Sequence, residues 1–317
     1  PGRTLQVWVV ASGKRAFPEI RFESPVTFAH LDATDKYIAA GLRDGSVNLY
    51  NARNGKLLEQ LQPHDGRITR VELHPQVNRL LTCSHDKTAQ LFDLEARKPI
   101  ARLVHDDCIV WGALDPTGTR VVTGSDDGTA RLWDIDGQPV CDPLVHPTRV
   151  RFAAFDPTGT RVATGAWDSA ARIWDTQTGE LITGPMMHEN SVPRLGFSPS
   201  GEYLITASLD HTAQIWNAAT GNRVTAPLEH GFLVQDAQIF PGGDRVMTAS
   251  ADRTVRVWEF RPMAHLLSAV RHEDTIKSCR LSPDGKLLLT ASVDGTARLW
   301  DAESGAPKNN MILQHDG

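Results

Sequence analysis

The stretch GSDDGTARLWD, residues Gly124–Asp134, decides the fold of this chain. Its first residues end a run rich in β-branched side chains, which favour extended strands. Asp127 and Gly128 are typical of a tight turn between antiparallel strands, because glycine tolerates a positive φ. A second strand-like run then closes on Trp133 and Asp134. The stretch predicts two neighbouring strands of an antiparallel sheet.

Variants of this stretch recur through the chain at a spacing of 41 or 42 residues. The closing aromatic residue is found at Trp8, Tyr50, Phe92, Trp133, Trp174, Trp216, Trp258 and Trp300. An aspartate lies six residues before seven of these aromatics, at Asp44, Asp86, Asp127, Asp168, Asp210, Asp252 and Asp294. A histidine lies 22 residues before six of the aspartates, at His64, His105, His146, His188, His230 and His272. The apolar runs and Pro-Gly turns between these markers predict four short antiparallel strands in each unit, which is the pattern of a β-propeller blade.

Composition argues against several functional classes. Apolar residues make up 40% of the 317 residues, enough for a large core, and the formal net charge is −5. That charge gives no general basic field for nucleic acid or an anionic membrane. The apolar runs are far too short to cross a bilayer, and no secretory signal is visible, so a cytoplasmic protein is expected. The four cysteines lack paired metal-site spacing, and neither a metal nor a cofactor is expected.

The Trp-Asp pair at residues 133–134, 174–175 and 300–301, with its upstream histidine and aspartate, resembles the WD-repeat β-propeller family over nearly the whole chain. The resemblance implies an all-β fold, a seven-bladed β-propeller of four-stranded antiparallel blades. An eight-bladed ring, or part of a tandem double propeller, is the alternative. Residues 24–317 would supply seven units of about 42 residues. Residues 1–23 match only the outer strand pair of a preceding or closing blade, and His315 stands where a further unit would begin.

In that family the histidine, a hydroxyl residue of the second strand, the aspartate and the tryptophan form a hydrogen-bonded network inside each blade. The resemblance implies four complete sets: His105, Ser125, Asp127 and Trp133; His188, Ser208, Asp210 and Trp216; His230, Ser250, Asp252 and Trp258; His272, Ser292, Asp294 and Trp300. The set with His64 has Phe92 instead of tryptophan, and the set with His146 has Ala166 instead of the hydroxyl. Serine, histidine and aspartate together could also be a catalytic triad, but a catalytic site is built once. The repetition therefore predicts structural sets and a non-enzymatic protein.

Residues that the repeat does not explain mark the candidate binding surface. In the family, the loops that join fourth to first strands and second to third strands form one face, which usually meets partners. The candidate partner-binding residues there are Trp167, Arg67, His85, Arg149, Arg151 and Lys277. Tryptophan and arginine are frequent at binding hot spots, and the expected ligand is an acidic or phosphorylated peptide. The alternative for Trp167 is packing over the adjacent blade, and the off-phase Trp111 is expected in the core.

The leading functional hypothesis is a non-enzymatic scaffold that binds partner proteins or peptides through its loop face. The regular repeats resemble the long WD-repeat arrays of bacterial signalling proteins. That resemblance implies a sensor or recognition part of a larger signalling protein, with covalently attached domains outside this chain. A nucleic-acid-binding propeller and a hydrolase are the alternatives, each weakened by the net charge or by the repetition of the network.

Overall fold

The computed structural model describes residues 2–10, 12–74, 76–260 and 265–314. All regular elements in these residues are β-strands. Within the same residues there is no helix with the length and apolarity needed to cross a membrane. The chain divides into two compact units. The first runs to Ala153 and includes Thr176–Gly179, and the second consists of Ala154–Asp175 and the chain from Glu180 onward.

The N-terminal segment forms two short antiparallel strand pairs. Its strands are β1 (Thr4–Leu5), β2 (Trp8–Val9), β3 (Lys14–Arg15) and β4 (Ile20–Arg21), with β1 paired to β4 and β2 to β3. The sequence predicts two longer strands here, over 3–10 and 16–22. The predicted hairpin therefore forms, but its pairing is interrupted between the two short sections.

Seven four-stranded sheets follow, each with its strands in chain order. Sheet I has β5 (Val26–Leu31), β6 (Tyr37–Leu42), β7 (Val47–Asn51) and β8 (Leu57–Leu61). Sheet II has β9 (Ile68–His74), β10 (Arg79–Ser84), β11 (Thr88–Asp93) and β12 (Lys98–Val104). Sheet III has β13 (Ile109–Leu114), β14 (Arg120–Ser125), β15 (Thr129–Asp134) and β16 (Leu144–Val145). Sheet IV has β17 (Val150–Phe155), β18 (Arg161–Ala166), β19 (Ala170–Asp175) and β20 (Met186–Met187).

The last three sheets repeat this plan. Sheet V has β21 (Arg194–Phe197), β22 (Tyr203–Ala207), β23 (Thr212–Asn217) and β24 (Leu228–Glu229). Sheet VI has β25 (Val234–Ile239), β26 (Arg245–Ser250), β27 (Thr254–Glu259) and β28 (His265–Arg271). Sheet VII has β29 (Ile276–Leu281), β30 (Leu287–Ser292), β31 (Thr296–Asp301) and β32 (Pro307–Gln314). The predicted all-β fold of four-stranded antiparallel sheets is confirmed, whereas the number of blades in a closed ring stays a prediction, and His315 lies outside the described residues.

Within each unit the core lies between neighbouring sheets, and the second strands of sheets I to VI are buried on both faces. Within the first unit, Leu81 and Leu91 of sheet II pack with Ile109 and Val121 of sheet III. Within the second unit, Val257 and its neighbours in sheet VI form the same kind of cluster with sheet VII. Burial of each such side chain contributes about 1.5–3 kcal/mol. This face-to-face packing makes the central strands near-continuous apolar runs.

The fourth strands of sheets III, IV and V are shorter than the repeat predicts. The strands β16, β20 and β24 keep two residues each, and each begins directly after a proline, at Pro143, Pro185 and Pro227. Proline has no N–H to donate to the neighbouring strand, which removes one ladder hydrogen bond next to the start of each of these strands. A single isolated bridge replaces the lost pairing, as between Trp133 and Pro139 in sheet III. A proline directly before the strand accompanies all three short outer strands, although Pro99 also lies within the longer β12.

The N-terminal strand pairs cover one face of sheet I. Phe17 and Phe22 are buried against Ile38, Ala40 and Tyr50. At these places of sheet I the polar residues of the repeat are replaced by apolar ones, so the face needs an apolar cover rather than a hydrogen-bonded network. The predicted boundary between residues 23 and 24 stays a prediction.

The Asp-Gly turns supply a test of backbone conformation. Gly45 and Gly128 have φ values of 89° and 85°, in the left-handed region that costs a side-chain-bearing residue about 1–2 kcal/mol. A Cβ at Gly45 would also overlap the carbonyl oxygen of His64, whereas a Cβ at Gly128 would lie 3.3 Å from the nearest carbonyl oxygen. We expect Gly45→Ala to lower the free energy of unfolding by about 2 kcal/mol or more, and Gly128→Ala by about 1 kcal/mol. Guanidinium unfolding of both variants checks this, and equal losses would contradict the backbone overlap at Gly45.

Candidate functional site

The repeated polar residues form a linear hydrogen-bonded relay inside sheet III and the loop before it. His105 Nδ1 lies 2.7 Å from Asp127 Oδ2, and His105 Nε2 lies 2.8 Å from Thr123 Oγ1. The indole N–H of Trp133 donates to the same threonine oxygen at 2.8 Å. Because Nδ1 faces a carboxylate, the imidazole donates there and accepts the Thr123 hydroxyl at Nε2. The relay runs from indole through hydroxyl and imidazole to carboxylate, and satisfies each group in turn.

The same relay recurs in three other units with closely similar distances. The histidine-to-aspartate distances are 2.8 Å for His188 and Asp210, 3.0 Å for His230 and Asp252, and 2.9 Å for His272 and Asp294. The histidine-to-threonine distances are 2.7 Å for Thr206, Thr248 and Thr290. The indoles of Trp216, Trp258 and Trp300 donate to those threonines at 2.8, 2.8 and 2.9 Å. In the unit of His64, Thr82 accepts no hydrogen bond from an indole, because the side chain of Phe92 at the tryptophan position has no N–H.

The structure corrects the predicted hydroxyl. The assignment of Ser125, Ser208, Ser250 and Ser292 to the histidine and the indole is wrong, because threonines two residues earlier occupy that place. Residues two apart on a strand share a face, so the hydroxyl pattern alone did not separate the two positions. Ser125 instead donates to the loop carbonyls of Asp107 and Cys108 and accepts the backbone N–H of Asp127. The serines hold the turn, and the threonines carry the relay.

The unit with Ala166 also keeps the threonine. The indole of Trp174 donates to Thr164 Oγ1 at 2.7 Å, so Ala166 does not remove the hydroxyl as predicted from the sequence. The missing signal was present in the sequence, since threonine occupies this position in all six units with a histidine, at Thr82, Thr123, Thr164, Thr206, Thr248 and Thr290. Serine, by contrast, is missing two residues later in one of these units, where Ala166 replaces it.

A further residue, two positions before the closing aromatic, ties the relay to the preceding outer strand. Arg131 donates to the carbonyl of Val104, and Arg256 donates to the carbonyl of Glu229. Arg256 Nη2 also lies 3.3 Å from Asp252 Oδ2. In the same sheet position as Arg131, Gln90 donates to the carbonyl of Pro63. Arg131 and Arg256 therefore have a structural role, because each links an outer strand to the next sheet.

The relay fixes the charges of its members. Burial lowers the pKa of His64, His230 and His272 despite the opposing effect of the adjacent aspartates. Burial alone would raise the pKa of Asp127, but hydrogen bonds from His105 and Thr129 hold that pKa well below its usual range. At neutral pH the neutral rings of His230 and His272 therefore face the ionised carboxylates of Asp252 and Asp294. Thr123 is 0% exposed, so its hydroxyl cannot reach a substrate, and the arrangement supports packing rather than nucleophilic catalysis.

Four of the predicted binding residues come together in the first unit. A cleft of about 370 Å³ is lined by Thr27, Arg67, Ile68, Thr69, His85, Val110, Asp126 and Arg151. Four of its residues occupy equivalent places in four successive first strands, at Thr27, Thr69, Val110 and Arg151. The second-to-third-strand turns of sheets II and III add His85 and Asp126. The cleft therefore lies where the equivalent residues of the first strands meet the turns between the second and third strands.

The cleft is organised by two pairings. Arg67 Nη2 lies 3.1 Å from His85 Nε2 and donates to it. Asp126 accepts two looser ion pairs, with Arg151 at 3.5 Å and Arg149 at 3.7 Å. Burial lowers the pKa of His85, and the nearby Arg67 lowers it further. The cleft therefore presents arginine cations beside a neutral imidazole.

The remaining predicted residues lie in other places. Trp167, in the turn between β18 and β19 of the second unit, is 49% exposed, and Lys277 is an exposed residue of β29 in that unit. Trp111 is half-buried rather than a fully buried core residue. Its ring stacks on Phe152 with centroids 4.0 Å apart, and the Arg70 guanidinium lies 3.6 Å from its centroid. Among the described residues, no group of three or more histidine, cysteine or acidic side chains is arranged to hold a metal ion.

Comparison with known proteins places the chain in a family. The sequence model of the family "IFT122 first beta-propeller" matches residues 26–301. The chain belongs to this β-propeller family. The predicted membership of the WD-repeat β-propellers is thereby confirmed, whereas the resemblance to bacterial signalling arrays gains no support.

Curated relatives of this propeller include subunit I of eukaryotic translation initiation factor 3. The protein from Botryotinia fuckeliana is 40% identical over 92 residues, which cover 27% of this chain and 28% of the relative. The protein from Emericella nidulans is 42% identical over 71 residues, which cover 22% of this chain and 21% of the relative. The protein from Oryctolagus cuniculus is 32% identical over 71 residues, with the same two coverages. The propeller thus matches only about a quarter of the length of these relatives.

A solved structure supports the fold alone. The crystal structure of the computationally designed Ika8 protein aligns with a TM-score of 0.80 at 24% identity, covering 93% of this chain and 88% of the designed one. Neither its identity nor its origin assigns a biological role to this propeller.

Proposed function

We propose that the chain is a non-enzymatic interaction module that binds an acidic or phosphorylated segment of a partner protein. The observation that carries this proposal is the cleft of the first unit, which is lined by Arg67 and Arg151 and in which Arg151 is paired with Asp126. Arginine binds carboxylates and phosphates through parallel hydrogen bonds. The named relatives are subunits of a larger assembly, translation initiation factor 3, which is consistent with a protein-binding role.

The exposed Trp167 supports a second contact area within the same proposal. An indole that is half exposed in a turn offers a large apolar surface, and tryptophan is enriched at binding hot spots. We place Trp167 and Lys277 in the proposed interaction surface of the second unit. A rigid sheet framework with short loops suits such binding, because little chain entropy is lost on association.

The proposal extends to the context of the chain. The module would be the recognition part of a larger signalling protein with attached domains. The named relatives are eukaryotic, so they lend no support to a bacterial origin for that arrangement. The gene sequence on either side of residues 1 and 317 tests this directly, and a chain without an effector domain would remove the sensor hypothesis.

Reversal of the cleft charge is expected to abolish partner binding. The double variant Arg67→Glu/Arg151→Glu places two like charges where an acidic segment would bind, so the captured amount of partner should fall at least about tenfold. The matched control is Arg53→Glu/Arg97→Glu, which changes two exposed arginines outside the cleft by the same total charge. Quantitative mass spectrometry of affinity-purified complexes gives the comparison. Equal losses in both variants, or no loss in the cleft variant, would refute the proposed function.

A further inference from the structure

Among the cleft arginines, Arg67 differs from the other two in its partner. Asp126 balances Arg149 and Arg151, whose Nη1 atoms lie 3.7 and 3.5 Å from its carboxylate oxygens. Arg67 donates instead to the neutral ring nitrogen of His85. Within the described ranges, no carboxylate lies within ion-pair distance of Arg67. Arg67 is thus a cation of the cleft whose charge no carboxylate offsets at contact distance.

His85 orients Arg67 without adding charge. The N–H of Arg67 points at the lone pair of Nε2, so the proton of the neutral ring is on Nδ1. Four charged groups act on His85: Arg67 and Arg151 oppose its protonation, whereas Asp126 and Asp107 favour it. The hydrogen bond to one edge of the guanidinium leaves its other N–H groups for a ligand.

Asp126 bears on the charge of the ligand. It lines the cleft and lies within ion-pair distance of Arg151 and Arg149, so an anion bound at Arg67 would lie near a fixed negative charge. The repulsion from Asp126 increases with the charge of that anion. A carboxylate carries one negative charge and binds a guanidinium with two parallel hydrogen bonds. A phosphate group at neutral pH carries between about 1.5 and 2 negative charges and would lie in the field of Asp126.

We infer, building on the proposed function, that Arg67 binds a single carboxylate from an aspartate or glutamate side chain of the partner segment. His85 is the positioning residue that holds the guanidinium, and Asp126 sets the specificity by disfavouring a dianionic phosphate. The occupant of the cleft is therefore an acidic, unphosphorylated segment.

Three capped pentapeptides that differ only in the central residue test this inference: one with glutamate, one with glutamine and one with phosphoserine. NMR of the full chain, with the Arg67 side-chain N–H and the His85 ring as reporters, gives the affinities at peptide concentrations up to about 10 mM. The glutamate peptide is expected to shift both reporters, and the glutamine peptide neither. Arg67→Gln should weaken glutamate binding at least about tenfold, whereas the control Arg53→Gln, at an exposed arginine outside the cleft, should change it less than about threefold.

The role of Asp126 has its own readout. Asp126→Asn removes one negative charge from the cleft and should strengthen phosphoserine binding about tenfold, with little change for the glutamine peptide. Tighter phosphoserine than glutamate binding by the unaltered chain would overturn the inference, and so would the absence of any shift at Arg67. If the cleft charge reversal still abolishes partner capture in that case, the proposed function survives and only the choice of ligand fails.

Discussion

Thr123→Val will lower the free energy of unfolding by about 2–5 kcal/mol, because one substitution leaves two buried groups without a hydrogen-bond partner. The hydroxyl of Thr123 accepts the indole N–H of Trp133 and lies 2.8 Å from His105 Nε2. Valine fills nearly the same volume, so the loss reports the hydrogen bonds rather than a cavity. Urea or guanidinium unfolding, followed by tryptophan fluorescence and circular dichroism, measures the change.

Thr82→Val is the matched control for this prediction. Thr82 Oγ1 lies 2.9 Å from His64 Nε2, but Phe92 replaces the tryptophan in that unit. In Thr82→Val, only the imidazole therefore loses its hydrogen-bond partner. The expected cost is about 1–3 kcal/mol. If both variants lose the same stability, the indole hydrogen bond contributes nothing and the relay is incorrectly described.

Lowering the pH from 7 to 5 will destabilise the protein through its relay histidines. The folded-state pKa values of His64, His230 and His272 lie below the ordinary value of 6.5 because these rings are buried. Below pH 6.5 the unfolded chain therefore binds protons that the folded chain does not, and stability falls as pH falls. The slope has an upper limit of about 1.4 kcal/mol per pH unit for each histidine.

The aspartates act in a different pH window. Burial would raise the pKa of Asp127 and Asp252, but their hydrogen-bond partners lower it well below the usual range. Their stabilisation is present above the unfolded value of about 3.9 and is lost only as pH falls below it. Chemical unfolding at pH 7, 6 and 5 with constant m-values isolates the histidine contribution. A stability that is constant or that rises toward pH 5 would contradict the neutral state of these rings.

Most of the architecture could be predicted from spacing. The 41–42-residue phase of the aromatics sets the repeat unit, and strand alternation sets which residues are buried, so the four-stranded antiparallel sheets followed from the sequence. The identity of the relay hydroxyl was not predicted correctly, because Thr123 and Ser125 lie on one face of β14 and both side chains can form hydrogen bonds. Pro143 does not by itself predict the shortened β16, because Pro99 pairs with Phe92 within the longer β12.

The cleft was only partly predictable. The sequence indicated that Arg67, His85, Arg149 and Arg151 belong to one loop surface. In the structure, three of them line the cleft together with Asp126, and Arg149 Nη1 lies 3.7 Å from the carboxylate of that aspartate. Asp126 itself was not selected, because an aspartate in a turn is typical of the repeat and its role depends on which arginines approach it. Pairing between side chains of different sheets is set by tertiary packing, which a one-dimensional pattern does not contain.

The central claim is that the buried relay is structural and that partner binding belongs to the cleft. The most direct measurement compares partner capture by Thr123→Val and by Arg67→Glu/Arg151→Glu at a temperature where both variants are folded. We expect Thr123→Val to capture its partner as the unaltered chain does, despite its lower stability, and the cleft variant to lose capture. Loss of capture by folded Thr123→Val, with full capture by the cleft variant, would contradict the account.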